Sequence, residues 1–128
     1  LQYSSDTKQY ILFKVMLKIA VIGGDGTGPE VIAEAVKTLK VVEKKYNIQC
    51  QFDPFDFGAT RFLKTGEILS DQEVNHLKQY DAMLLGAIGH PEAPPGVLER
   101  GILLKLRFDL DQYINLRPIK LYPNVNHP

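Results

Sequence analysis

The sequence has little cysteine, no net charge and no long apolar run, and each shortage excludes a class of protein. Its 128 residues include one cysteine, Cys50, which cannot form an internal disulfide or a zinc cluster. The 15 basic and 15 acidic side chains cancel, which argues against a generic binder of nucleic-acid phosphates or membrane surfaces. No apolar run approaches the roughly 20 residues that span a bilayer. The hydrophobic content of 45% is that of a single globular domain.

The two ends of the chain differ from its centre. Residues 1–15 lack the basic region and the small-residue cleavage site of a signal peptide, and Met16 directly precedes a strand pattern. We therefore expect a cytoplasmic protein that starts naturally at Met16, with 1–15 as a non-native upstream extension. A genuine N-terminal extension is the alternative. Residues 122–128 are rich in turn formers just after a new strand pattern, so we expect a fragment of a longer protein.

Strand and helix patterns alternate along the centre of the chain. Residues 17–22 predict a buried strand, and 30–46 predict an amphipathic helix introduced by Pro29. Residues 48–57 predict a second strand, in which Pro54 indicates a sheet edge. The further predicted elements are a short helix over 58–64, a capped helix over 70–79, a strand over 81–85, a helix over 97–112 and a strand over 114–117. This order indicates an α/β fold with a largely parallel sheet flanked by helices.

Two glycine-rich loops, 23–28 and 86–96, each follow a strand, on the side where α/β sheets bind ligands. The first loop invites comparison with the dinucleotide fingerprint GxGxxG. Its glycines, Gly24, Gly26 and Gly28, stand at relative positions 1, 3 and 5, which excludes the Rossmann fingerprint. Two roles stay open: an anion site at the start of the helix, or a tight turn that needs the freedom of glycine.

Arg107 and Arg117 are the candidate substrate-binding residues. A guanidinium can hold a carboxylate through two parallel hydrogen bonds, so two converging arginines would select a dicarboxylic acid. From the residues alone, two solvated surface charges are the alternative. The single histidine of the second loop, His90, has no partner that would indicate a metal site or a nucleophilic triad.

Three motifs resemble one family. Residues 18–30 (KIAVIGGDGTGPE) are similar to the opening of the β-decarboxylating dehydrogenases, the isocitrate/isopropylmalate dehydrogenase family. Residues 81–89 (DAMLLGAIG) resemble its third strand and cofactor loop. Residues 101–107 (GILLKLR) and 115–118 (NLRP) resemble the segment that carries its substrate arginines. The resemblance spans 17–123 and implies the family's own α/β fold, which is not a Rossmann fold, in truncated form.

The resemblance also implies an activity. It implies an NAD-dependent oxidation of the 2-hydroxyl of 3-isopropylmalate, followed by decarboxylation to 4-methyl-2-oxopentanoate in leucine biosynthesis. Mg²⁺ or Mn²⁺ would hold the hydroxyl and the carboxylate. The full-length protein would be a homodimer that binds a small dicarboxylic 2-hydroxy acid, without nucleic-acid or membrane partners. The alternatives are a sister activity on tartrate, D-malate or homoisocitrate, and a non-catalytic interaction subunit of a homologous enzyme.

Individual residues acquire roles from the same resemblance. Arg107 and Arg117 would clamp the malate carboxylates, and Leu103 and Leu104 would face the isopropyl group, with ordinary helix core as the alternative for the leucines. An apolar wall there would reject isocitrate, whose third carboxylate needs a polar partner. The cofactor-binding residues would be Thr27, Gly86, Ala87, Ile88, Gly89 and Glu99.

The resemblance places the remaining machinery outside this chain. The catalytic tyrosine and lysine, a third arginine and the metal-binding aspartates would follow later, so the chain alone is expected to be inactive. Residues 16–112 would be the N-terminal part of a first, cofactor-binding domain, and 113–128 the start of a second domain for substrate and dimerisation. The unfinished sheet would expose an edge prone to aggregation.

Overall fold

The computed structural model describes residues 16–126, in which strands and helices alternate as the sequence predicts. Its elements are β1 (Met16–Ile22), α1 (Gly28–Tyr46), β2 (Gln49–Phe55), α2 (Ala59–Thr65), α3 (Asp71–Leu77), β3 (Ala82–Leu85), a π-helical turn (Glu99–Leu104) and α4 (Lys105–Asp109). The π-helical turn and α4 belong to one continuous helix over residues 97–109, here called the C-terminal helix. The expectation of an upstream extension over 1–15 lies outside the described residues.

The three strands form a parallel sheet in the order β2–β1–β3. β1 pairs with β2 along its whole length and with β3 from Ile19 to Ile22. Because β1 is central, its residues Ala20 and Ile22 have no solvent-accessible surface. β2 lies at an edge, as Pro54 predicts, since proline cannot donate to a second neighbour. The predicted α/β fold with a parallel sheet is confirmed.

Helices cover both faces of the sheet. The crossover through α1 leads to one side of β1, and the crossover through α2 and α3 leads back past β1 to its other side. Since parallel crossovers are right-handed, these two connections must lie on opposite faces. The larger core is formed by Ala20, Ile22, Phe57, Ala59, Leu69, Val74, Leu77, Ala93, Leu98, Ile102 and Leu106. It joins the sheet to α3 and the C-terminal helix.

Local signals set the ends of the helices where the sequence predicts. Pro29 lies in the first turn of α1, and Asn47 ends that helix in a left-handed conformation, with φ of 53°. At the start of α3, the Ser70 hydroxyl accepts the Glu73 amide, and the Glu73 carboxylate accepts the Ser70 amide. This reciprocal pair is the capping box that Ser70 and Glu73 predict, and it is confirmed.

Two predictions for the end of the chain are wrong. The predicted strand over 114–117 is absent, because residues 112–122 run without a hydrogen-bonded neighbouring strand in the described part of the chain. A strand pattern alone cannot form a ladder without a partner. The predicted helix over 97–112 ends earlier, at Asp109, because the chain turns at Asp111, whose φ is +52°.

The helices carry charged faces rather than apolar surfaces all round. α1 contains Glu30 in its first turn and two lysines in its last turn. Within residues 16–126, none of the helices is long and apolar enough to span a membrane. The expected cytoplasmic location stays a prediction, as do the domain boundaries.

The loops after β1 and β3 touch backbone to backbone, which explains three of the glycines. A side chain at Gly24 or Gly28 would collide with the backbone of Ala87. A side chain at Gly86 would collide with the carbonyl oxygen of Gly23. Gly24 also has a φ of +70°, which other residues adopt at a cost. The close packing supports the tight-turn role of the first loop, and an anion site there stays a prediction.

Replacing Gly86 by alanine should destabilise the protein. The new methyl group would overlap the Gly23 carbonyl oxygen, which sits on backbone that cannot rotate away, and such overpacking costs about 1–3 kcal/mol. Gly23→Ala is the matched control, since its methyl group would meet nothing closer than Pro29 at 3.7 Å. Urea unfolding of both variants measures the difference. Equal free energies of unfolding would contradict the close packing.

Candidate active site

The carboxyl ends of β1 and β3 lie side by side at the point where the strand order reverses. The chain leaves β1 towards β2 on one side and later returns to β3 on the other. Ligands of open α/β sheets bind in the crevice at such a switch point. The loops 23–28 and 86–96 leave the carboxyl ends of these two strands, as the sequence predicts, and their role in ligand binding stays a prediction.

Asp25 ties these loops to the start of α2. One carboxylate oxygen accepts the Ala59 amide at 2.8 Å, and the other accepts the Gly89 amide at 3.0 Å. The Asp25 amide donates to the Ala87 carbonyl at 2.6 Å. Gly58 must lack a side chain, because a β-carbon there would lie 2.8 Å from the carboxylate. One side chain therefore joins the loops that follow all three strands.

Sequence reasoning missed Asp25. The residue is only 5% exposed. Within residues 16–126, no other charged residue is buried. Burial of a carboxylate is costly unless its oxygens are hydrogen-bonded, and here both are. The available signal was a lone acidic residue inside a glycine turn directly after a buried strand.

The residues expected to bind the cofactor form a strip along this edge. Thr27, Ala87 and Gly89 are exposed, whereas Gly86 and Ile88 are half-buried. Thr27 is the N-cap residue of α1, yet its side chain makes no capping hydrogen bond, which leaves that role to the backbone. The two loops touch where Gly24 and Gly28 approach Ala87, so the structure brings these five residues to one edge of the sheet.

The C-terminal helix carries most of the expected substrate residues. Leu103 and Leu104 are 36% and 40% exposed within the described residues. Arg107 is half-buried, and with Leu104 it borders a cavity of about 340 Å³. The other residues of its wall are Phe108, Asp111, Gln112 and Tyr113. A cation and an apolar side chain thus meet in one recess.

Lys105 anchors this helix. Its ammonium donates to Asp71 at the start of α3 at 2.6 Å, and to Asp109 one turn further along at 2.8 Å. Hydrogen bonds to Asp109 and Asp71 raise the pKa of Lys105, and the same contact lowers the pKa of the Asp71 carboxyl. An ion pair at Lys105 therefore links the helix to the start of α3.

Arg117 and Glu99 stand apart from the cavity. Arg117 is exposed in the extended segment 112–122, where its Nε donates to Asn115 at 3.3 Å. It does not border the cavity of Arg107, so the described residues do not show the two arginines converging. Glu99 is exposed at the start of the π-helical turn. Among residues 16–126, no group of three or more possible ligand side chains could hold a metal ion.

Replacing Asp25 by asparagine should loosen the loops. The amide group presents a donor where one backbone N–H also donates, so one charge-assisted hydrogen bond is lost and the free energy of unfolding falls by about 2 kcal/mol. Asp25→Ala should cost about twice as much. Asp56→Asn is the control, since the Asp56 side chain is 84% exposed in the neighbouring loop. Hydrogen exchange at the Ala59 and Gly89 amides reports the change, and unaltered protection would refute the bridge.

Comparisons with known proteins agree with this geometry. Residues 18–128 match the family model described as isocitrate/isopropylmalate dehydrogenase. The chain is 56% identical over 113 residues to a 3-isopropylmalate dehydrogenase of Corynebacterium aurimucosum, and the match covers 88% of this chain and 32% of that protein. A 3-isopropylmalate dehydrogenase of Thermobifida fusca is 50% identical over 112 residues, with the same coverage of both chains. The chain therefore spans about a third of the length of these curated relatives.

Solved structures show the same fold. A β-decarboxylating dehydrogenase of Thermococcus kodakarensis matches with a TM-score of 0.60 and 34% identity, over 77% of this chain and 28% of that chain. An isocitrate dehydrogenase of Methylococcus capsulatus matches with a TM-score of 0.61 and 28% identity, over 77% of this chain and 27% of that chain.

Proposed function

The chain belongs to the isocitrate/isopropylmalate dehydrogenase family, and on that premise we propose that the complete protein oxidises and decarboxylates 3-isopropylmalate with NAD. The observation that carries the proposal is the recess in which Arg107 meets Leu104. A guanidinium suits a carboxylate, and a leucine suits an isopropyl group. Isocitrate would bring a third carboxylate against that leucine and leave it unpaired. The high identity to 3-isopropylmalate dehydrogenases supports the same substrate.

In this proposal the residues of the chain bind and orient. Arg107 holds one malate carboxylate, and Arg117 holds the other once the segment 112–122 is packed against the rest of the protein. The partly exposed Leu103 and Leu104 cover the alkyl group and exclude water from it. The substrate is thereby fixed with its hydroxyl-bearing carbon towards the strip of Thr27 and 86–89. Bound NAD supplies the acceptor for the hydride of that carbon.

We propose Mg²⁺ or Mn²⁺ as the second cofactor of the complete protein. The described residues do not fit a metal centre, because they offer no group of three possible ligands. Its ligands, like the groups that transfer protons, would belong to the rest of the protein. The proposal also includes a homodimer that works in the cytoplasm within leucine biosynthesis.

Turnover by the complete protein that contains this chain tests the function. With NAD and Mg²⁺, NADH formation should show a kcat/KM for 3-isopropylmalate at least about 10-fold above that for D-malate, tartrate, homoisocitrate or isocitrate. The 128-residue chain alone should form no NADH. A higher kcat/KM for one of the other acids would show that this acid, and not 3-isopropylmalate, is the substrate. Turnover by the chain alone would show that it contains the catalytic groups, and absence of turnover with co-purification of a larger homologue would favour an interaction subunit.

Arg107→Lys should weaken substrate binding in the complete protein. Lysine keeps the charge but loses the two parallel hydrogen bonds, so the KM for 3-isopropylmalate should rise about 10- to 100-fold. The KM for NAD should change little. Arg100→Lys, on an exposed part of the same helix, is the control and should behave like the parent protein. Similar KM values in the two variants would remove Arg107 from the substrate site.

A further inference from the structure

The C-terminal helix contains a π-helical turn in its centre. The Lys105 amide donates to the carbonyl of Arg100, five residues earlier, where a regular α-helix would use the residue four earlier. The turn begins at Glu99, the residue expected at the nicotinamide ribose, and ends at Leu104, three residues before the arginine expected at the substrate. Such turns are rare and frequently lie at functional sites. This one calls for a physical reason.

The spacing of Glu99 and Arg107 supplies that reason. They stand eight residues apart. In a regular α-helix each residue advances by about 100°, so residues eight apart point in directions about 80° different. A π-helical turn takes up one additional residue and reduces this difference to about 20°. The turn therefore brings Glu99 onto the same side of the helix as Arg107.

Burial along the helix agrees with such a row. Leu98, Ile102 and Leu106 follow one another at intervals of four, and their exposed fractions are 0%, 0% and 2%. A regular α-helix would spread these three over about 80°, and a π-helical turn narrows that spread. All three face the same core. Each residue of the row Glu99, Leu103 and Arg107 follows one of them, so the π-helical turn narrows the spread of this second row as well.

We propose that the π-helical turn is a positioning element that aligns Glu99, Leu103 and Arg107 in one row about 11 Å long. Along that row, one helix presents a carboxylate to the cofactor ribose, an apolar side chain to the substrate's alkyl group and a guanidinium to its carboxylate. The proposal rests on the proposed function for the ligands at each end. The alignment itself rests on the π-helical turn, in which the Lys105 amide donates to the Arg100 carbonyl.

Variants of Arg100 test the alignment, because this residue lies inside the turn and its exposed side chain donates a hydrogen bond to the nearby Gly96 carbonyl. Deletion of Arg100 removes the additional residue, so a regular α-helix then keeps the row. Insertion of an alanine after Arg100 adds a second additional residue, which the π-helical turn does not accommodate. Glu99 and Leu98 are then rotated about the helix axis by about 100° relative to Arg107. Arg100→Ala keeps the length and serves as the control. Each variant is made in the complete protein.

The alignment predicts opposite results for deletion and insertion. The deletion and Arg100→Ala should keep the KM for NAD within about 3-fold of the parent value, whereas the insertion should raise it about 10-fold or more, the scale of a lost charge-assisted hydrogen bond. Glu99→Gln should raise the KM for NAD in the deletion variant and have no further effect in the insertion variant. A deletion as damaging as Glu99→Gln, or a harmless insertion, would overturn the proposal.

Thermal unfolding separates this proposal from the proposed function. The deletion should keep the unfolding temperature, because Leu98 stays in the buried row, and the insertion should lower it. If the parent protein oxidises none of the tested hydroxy acids, the proposed function fails, and these temperatures still decide the alignment. Equal unfolding temperatures for deletion and insertion would refute it. If the insertion variant does not fold, the deletion and its combination with Glu99→Gln decide the role of the row.

Discussion

The buried carboxylate of Asp25 is the interaction on which the ligand side of this protein depends. Parallel strands end at one edge of a sheet, but nothing in the ladder holds the loops beyond that edge together. Asp25 does so by accepting the amides of Ala59 and Gly89 while its own amide bonds to Ala87. A neutral side chain of the same size has no negative charge, so it could not accept both amides in charge-assisted hydrogen bonds. The loops are thereby held at a distance set by hydrogen bonds.

The close approach of the loops also explains the glycines. The backbones of Gly24 and Gly86 lie so close to neighbouring carbonyl groups that a β-carbon has no place. Glycine in these positions is thus a consequence of close approach and does not require a phosphate to explain it. The partly exposed strip of Thr27 and 86–89 lies on this base. A binding surface that is already rigid loses little conformational entropy when a ligand binds, so less of the binding free energy is lost.

The second half of the candidate site is held differently. The C-terminal helix is fixed by a row of three buried side chains on one side and by the ion pair of Lys105 with Asp71 on another. The expected substrate residues of this helix, Leu103, Leu104 and Arg107, are partly exposed. A π-helical turn lets the buried row stay straight although the helix has an additional residue. Packing, rather than hydrogen bonding, therefore decides which way Arg107 and Leu103 face.

Local patterns were sufficient for the elements whose cause is local. The β1 pattern, the ends of α1 at Pro29 and Asn47, and the capping box of Ser70 depend on residues within one turn of each other. The strand expected over 114–117 had the right pattern and no partner, and a ladder needs both. The π-helical turn carries no sequence signature of its own, because it results from fitting eight residues against a core that other elements provide.

The sequence by itself determined the parallel α/β fold, the glycine loops at the strand ends and the order of the motifs that mark the family. Each of these follows from periodicity, from turn chemistry or from residues adjacent in the chain. Only the tertiary structure decided that Asp25 bridges the loops, that Leu103 and Leu104 are partly exposed, and that the C-terminal helix contains a π-helical turn. These depend on which surfaces the folded elements bury, and a linear pattern cannot specify the partner that buries them.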